Sequence, residues 1–185
     1  MGQQLYILCG GADKMTSVAL FDGVQVLPVT ELPYNFFPKC IVPYAGRLYV
    51  GGAGLDISGV EQYAELYEVT GSSLRLVKTF ADEGHSGRYV NPRKIDHMAV
   101  HEGLLFFGEY EQGLIAYDVT TDALYGAHRF DPGQEHTTCT ALYILSARSH
   151  LWVYASRPAS PFNNGIWGSV SAGDAFPLDA SSGEM

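Results

Sequence analysis

Charge is scarce in this chain of 185 residues: Asp, Glu, Lys and Arg together make up 17%, against a usual ~25%. Positive charge is scarcer still, with 11 Lys and Arg against 20 Asp and Glu, a formal net charge of −9. A protein that grips phosphates would carry the opposite sign, so no nucleic-acid partner is expected. Cysteine is also rare. Cys9, Cys40 and Cys139 lie far apart and form no CxxC pair. That spacing gives neither a disulfide framework nor a zinc knuckle, and the three read as small buried hydrophobes. No apolar run is long enough to cross a bilayer, so membrane insertion is not expected. The opening MGQQLYILCGG has no basic segment and no long apolar one, so no secretory signal peptide is expected. Position 6 is Tyr rather than Ser or Thr, so the myristoylation pattern fails. The expected setting is a cytoplasmically assembled protein. Helical periodicity is missing too, beyond about two turns in any window. The nearest exception, residues 60–69, alternates equally well as a strand.

Aromatics and glycine are abundant: 12% Phe, Trp and Tyr, and 21 Gly. Disordered chains lack aromatics, and coiled coils need charged, alanine-rich heptads, so both are excluded. The apolar residues fall in short runs of Val, Ile, Leu, Tyr and Phe bounded by Gly, Ser, Asp and Thr, which is the pattern of strands. Four stretches share one layout, starting near Leu5, Leu48, Leu105 and Leu151, at spacings of about 43, 57 and 46 residues. Four-stranded propeller blades run to about 40–50 residues each. Ahead of the last three stretches sits one more apolar segment, CIVPYA (40–45), IDHMAVHE (95–102) and TALYILSA (140–147). The first stretch has none. The expected fold is all-β and β-propeller-like. It has about four blades of four antiparallel strands, with the first incomplete, in units of roughly 1–33, 40–80, 95–130 and 139–179.

Two of the units resemble Kelch repeats. In that layout an apolar strand ends in a glycine pair and a Tyr follows on the next strand before a turn. Gly51-Gly52 with Tyr67 match it, and Gly10-Gly11 with Phe21 match more loosely. The unit at 105 keeps Gly108 and Tyr117 but has Glu109 as its second residue, and no WD dipeptide closes any unit. Glycine serves here because it allows positive φ and close backbone approach.

The connections divide into short and long. The long ones are 11–16, 33–39, 53–63, 81–94, 131–138 and 156–165. In an up-and-down blade alternate connections emerge on opposite faces, so these six are expected on one face, where binding residues collect on a rigid scaffold. The missing inner strand of the first unit leaves three outcomes: a small ring with one defective blade, a ring completed by further copies, or pairing with strands of other proteins.

Chemistry-bearing residues are few. His97 and His101 are four apart, but on a strand that spacing separates them by about 13 Å, too far to share a metal. The run Asp82-Glu83-Gly84-His85-Ser86-Gly87-Arg88 holds an acid, a base and a hydroxyl without a nucleophile elbow. Glu109 and Glu111 have no second motif behind them. No catalytic set emerges, and neither a metal nor a cofactor is expected. His85, Arg88, Tyr89, Arg93 and Lys94 form the one basic-aromatic cluster, able to hold a carboxylate, a phosphate or an acidic surface, or to pair internally. Tyr34, Phe36 and Phe37 in one long connection, and Arg157 and Phe162 in another, read as loop anchors that plug the propeller mouth or dock on a partner.

These features suggest a non-enzymatic structural or binding module, held in a larger assembly or a homo-oligomer. Low charge, apolar loops and the incomplete first unit resemble a virion component of the phage tail or baseplate type. The alternative is a carbohydrate-binding, lectin-like propeller completed by oligomerisation. It would repeat Trp and Arg between blades, whereas Trp152 and Trp167 fall in one unit only.

Overall fold

The computed structural model describes residues 5–10, 15–80, 94–109, 113–128, 141–147, 150–158, 169–170 and 176–178. Among these the protein is all-β, with no helix and with antiparallel sheets of three or four strands. The chain divides into two compact units.

The first unit holds two sheets. β1 (Leu5–Gly10), β2 (Met15–Phe21) and β3 (Val26–Glu31) form a three-stranded meander. β4 (Phe36–Tyr44), β5 (Arg47–Leu55), β6 (Glu61–Thr70) and β7 (Ser73–Thr79) form a four-stranded one. Alternation decides which side chains face inward. Val18, Phe36, Leu48, Val50 and Tyr67 are buried in a single cluster, joined from the first sheet by Tyr6, Leu8 and Val29.

The glycine pair on β5 has a specific cause. Neither Gly51 nor Gly52 takes a positive φ, so the close-approach reason is the one that operates. A Cβ on Gly52 would collide with the Phe37 carbonyl oxygen and come within 2.8 Å of Pro38 Cα. A Cβ on Gly51 would lie 2.8 Å from Ile95 Cγ2. The approach arises at a bulge, where Lys39 is the extra residue between the pairs Pro38–Gly52 and Cys40–Gly51. Glu68, paired opposite Tyr49, is buried, and Arg47 and Arg75 both donate to its carboxylate.

The second unit also holds two sheets. β8 (His97–His101), β9 (Leu104–Glu109), β10 (Gly113–Asp118) and β11 (Ala123–His128) are consecutive neighbours. β12 (Ala141–Ala147) pairs with β13 (His150–Pro158), which also pairs with β14 (Ser169–Val170) and β15 (Phe176–Leu178). His101, buried on β8, lies with Nδ1 3.1 Å from Ser146 Oγ on β12.

The tight turns agree in detail. Ala45-Gly46, with φ of 49° and 75°, and Glu102-Gly103, with φ of 46° and 84°, both take two left-handed residues. This is the two-residue hairpin turn that matches strand twist. Two of the expected long connections are in fact short. β4 begins at Phe36, so Leu32–Asn35 is all that separates it from β3. Strands β5 and β6 run on to Leu55 and from Glu61, leaving a five-residue turn. Pro38 stands inside β4, which is at the edge of the described sheet, where proline is tolerated. The connections 81–93, 131–138 and 159–165 lie outside the described residues.

Candidate binding surface

The β3–β4 connection and the β5–β6 turn meet at one end of the second sheet. The Leu55 amide donates to the Asn35 carbonyl at 2.7 Å, and the Phe36 amide to that of Pro33 at 3.1 Å. The first bond joins the two segments, and the second closes the β3–β4 connection on itself. Tyr34 on one tip is 93% exposed, and Ile57 on the other is fully exposed. Val60 is more than half exposed beside it.

The turn that carries Ile57 is stiff. Asp56 Oδ1 accepts from the Ser58 amide at 2.8 Å, the Ser58 hydroxyl at 2.7 Å and the Val60 amide at 2.9 Å. Its other oxygen accepts from Gln62 Nε2 at 2.9 Å. The Ser58 hydroxyl, then the Val60 amide, hold the Asp56 carboxyl below its ordinary pKa. Gly59, at φ 81°, closes the turn. An aspartate bonded to the backbone two and four residues on fixes a loop without help from a core. Ile57 is thus presented outward by design of the turn.

Charged groups also gather here. Lys39 Nζ lies 2.8 Å from Glu61 Oε1, and Lys94 Nζ lies 3.7 Å from Glu61 Oε2. The Lys39 ammonium also sits 4.6 Å from the centroid of the Phe37 ring. The same strand as Glu61 also carries a buried acid. Glu65 is 5% exposed, and the Tyr67 hydroxyl donates to it at 3.1 Å. Burial pushes the Glu65 carboxyl above its ordinary pKa, against the opposing hydrogen bonds from Tyr67 and Thr79. Burial and the neighbouring Glu65 raise the Tyr67 phenol as well.

The structure separates the residues that the sequence grouped. Tyr34 is exposed. Phe36 is not an anchor: it is 0% exposed, and its ring centroid lies 4.6 Å from that of Tyr67. Phe37 is half-buried on β4 under Lys39. Both were assigned to a loop because the strand was read as starting four residues later. Lys94 is bound internally to Glu61 rather than left for a ligand. Arg157 is on β13, opposite Val170. His85, Arg88, Tyr89, Arg93 and Phe162 lie outside the described residues, as do Cys139, Glu111 and the 82–88 run. Cys9 and Cys40 are each partly buried and not disulfide-bonded, and the Cys40 thiol donates to the Ile95 carbonyl at 3.5 Å. Among the described residues no three His, Cys, Asp or Glu side chains converge as a metal would require. No helix there is long and apolar enough to cross a membrane.

Ile57, Val60 and Glu65 escaped the sequence reading. For Ile57 a signal was present: Asp-x-Ser-Gly between two apolar runs is a braced turn, and an aliphatic residue inside it has nowhere to hide. Glu65 gave no signal, because an acid on a strand reads as solvent-facing. A comparison with protein-family models found no match, and neither did a search of curated protein sequences.

Proposed function

We propose that this protein is a non-enzymatic binding or assembly module. It docks on protein partners through the tips of the β3–β4 connection and the β5–β6 turn. The observation that carries this reading is the pair Tyr34 and Ile57, held outward on adjoining, hydrogen-bonded tips. A braced apolar tip loses little entropy on docking, and exposing it without a partner is unfavourable. The surrounding ion pairs give the contact a polar rim, as protein interfaces have. We further propose that the four sheets act as blades of a propeller-like scaffold, the Kelch-like glycine pair being one expression of its close packing. The setting that fits is a large protein assembly, such as a virion tail or baseplate.

The test is affinity capture from the native source with the wild type and with a Tyr34→Asp/Ile57→Asp double variant. Partners held by the wild type should be lost by the double variant, with its thermal midpoint unchanged. Equal capture by both would refute the tip surface. Binding on a glycan array that disappears with Tyr34→Ala would instead favour the carbohydrate-binding reading.

A further inference from the structure

Tyr63, Glu65 and Tyr67 are alternate residues of β6 and share one of its faces. The residues paired with them on β5 are Gly54, Gly52 and Val50. A Cβ on Gly54 would lie 2.5 Å from Tyr63 Cε2 and 3.0 Å from Glu65 Cδ. The Tyr63 ring and the Glu65 carboxyl therefore rest together on the bare backbone of Gly54. On the other side Thr79 of β7 pairs with Glu65 and hydrogen-bonds its carboxyl. The Tyr67 hydroxyl donates to the same carboxyl at 3.1 Å.

Two buried acids on one strand are thus treated differently. Glu68 is clamped by Arg47 and Arg75, whereas among the described residues Glu65 is held by hydroxyls alone. The ammonium groups of Lys39 and Lys94 go to Glu61 instead. The titratable groups facing Glu65 are the Tyr63 and Tyr67 phenols of its own strand. Next to the acid β5 brings only Gly52 and Gly54, and β7 brings Thr79, with Lys78 opposite Leu66 on the other face. From the first sheet Tyr6 packs against the cluster that contains Tyr67. A charge buried beside hydroxyls alone is costly, and a carboxyl avoids that cost by keeping its proton. Protonated, it still has acceptor capacity for both hydroxyls.

The acid adjoins both parts of the closure at this end of the sheet. Gly54 stands opposite Phe36 and precedes Leu55, whose amide donates to the Asn35 carbonyl at 2.7 Å. The Tyr67 ring lies 4.6 Å from that of Phe36, whose amide closes the β3–β4 connection on the Pro33 carbonyl. We propose that Glu65 is a proton-operated latch on this closure. Protonated, it keeps Gly54 and Tyr67 in place, and the Asn35–Leu55 bond holds. Ionised, it draws water to its carboxylate, displaces the Tyr63 ring from Gly54 and releases that bond. A protonation that biases a two-state element is the general form of such switches. The latch sets the position of the connection and not what it binds, so it stands whether or not Tyr34 and Ile57 dock on a partner.

The test is amide exchange by NMR on the full chain from pH 4 to pH 8, corrected for intrinsic exchange. The Glu65 carboxyl carbon is followed in the same samples. As Glu65 ionises, protection of the Leu55 and Phe36 amides should fall about fivefold or more, the worth of one hydrogen bond. Amides around Leu48 and Val69, at the far end of the sheet, should keep theirs. Glu65→Gln should hold the connection closed at every pH. Tyr67→Phe removes a donor that favours the charged form, so it should move the transition to higher pH. That second variant keeps the test decisive if Glu65→Gln fails to fold. Protection independent of pH in the wild type would overturn the proposal. So would a transition that persists in Glu65→Gln, one that Tyr67→Phe leaves unmoved, or a midpoint apart from the Glu65 titration. An equal loss at every amide of the sheet would show a general loss of stability and overturn it as well.

Discussion

Replacing Phe36 with alanine tests whether that residue is a core residue or a surface anchor. Its side chain is 0% exposed and stacks at a tilt against Tyr67, 4.6 Å between centroids. Val18, Leu48 and Val50 belong to the same cluster, which spans both sheets of the first unit. Gly52 leaves room for the ring edge: a Cβ there would lie 2.9 Å from Phe36 Cζ. A site so closely walled by backbone has little freedom to collapse after truncation. Deleting a buried Phe costs about 3–5 kcal/mol, transfer and cavity terms together. Against a total stability of about 5–15 kcal/mol that is a large fraction. At about 2–4 °C per kcal/mol for a chain of this size, the thermal midpoint should fall by about 6–20 °C. Circular dichroism on heating, with urea unfolding as a check, would measure it. Tyr34→Ala is the matched control. At 93% exposure it should change stability by no more than about 0.5 kcal/mol. A Phe36→Ala cost below about 1 kcal/mol would refute the packing argument and return Phe36 to the loop.

Two further outcomes follow from the same unit. Gly52→Ala puts a methyl group against backbone atoms of Phe37 and Pro38. Backbone cannot swing aside as a side chain can, so the cost should reach about 3 kcal/mol. Gly59→Ala is the comparison: its Cβ would meet nothing within 4 Å, and only the positive φ penalises it. Its cost should be about 1 kcal/mol, and equal urea midpoints for the two variants would count against the close-approach account. Glu65 predicts a pH dependence. Its folded pKa is raised above the ordinary 4.5 by burial. Its contribution is therefore fully present below pH 4.5 and declines as pH rises through the raised folded value. Glu65→Gln keeps the Tyr67 contact without the charge, so it should gain on the wild type at pH 7 and not at pH 4. A constant difference between those pH values would show that Glu65 ionises normally in the fold.

Much of the strand pattern was legible in the sequence. Continuous apolar runs such as Leu48-Tyr49-Val50 and Leu105-Phe106-Phe107 bury on two faces, and short Gly-containing turns leave antiparallel pairing as the compatible geometry. The all-β class and the short turns at 45–46 and 102–103 needed only local information. Strand ends were less legible. Phe36 and Phe37 stand between two prolines, and proline argues against a strand unless that strand is an edge. Edge position is a property of the whole sheet. The length of the connection around Ile57 was also illegible, because residues 53–63 look loop-like until β5 and β6 pair beyond Gly54.

The sequence by itself determined the class of fold, the scarcity of charge and the recurrence of the leucine positions. Those are consequences of side-chain period and composition. Only the tertiary structure decided which equivalent positions differ. Phe36 became core because the first sheet covers it. Glu65 became a buried acid held by the Tyr67 hydroxyl. Leu5 is 57% exposed while Leu48, Leu105 and Leu151 are buried. Burial is a relation between segments distant in sequence, and a local pattern cannot encode whether its neighbour is present.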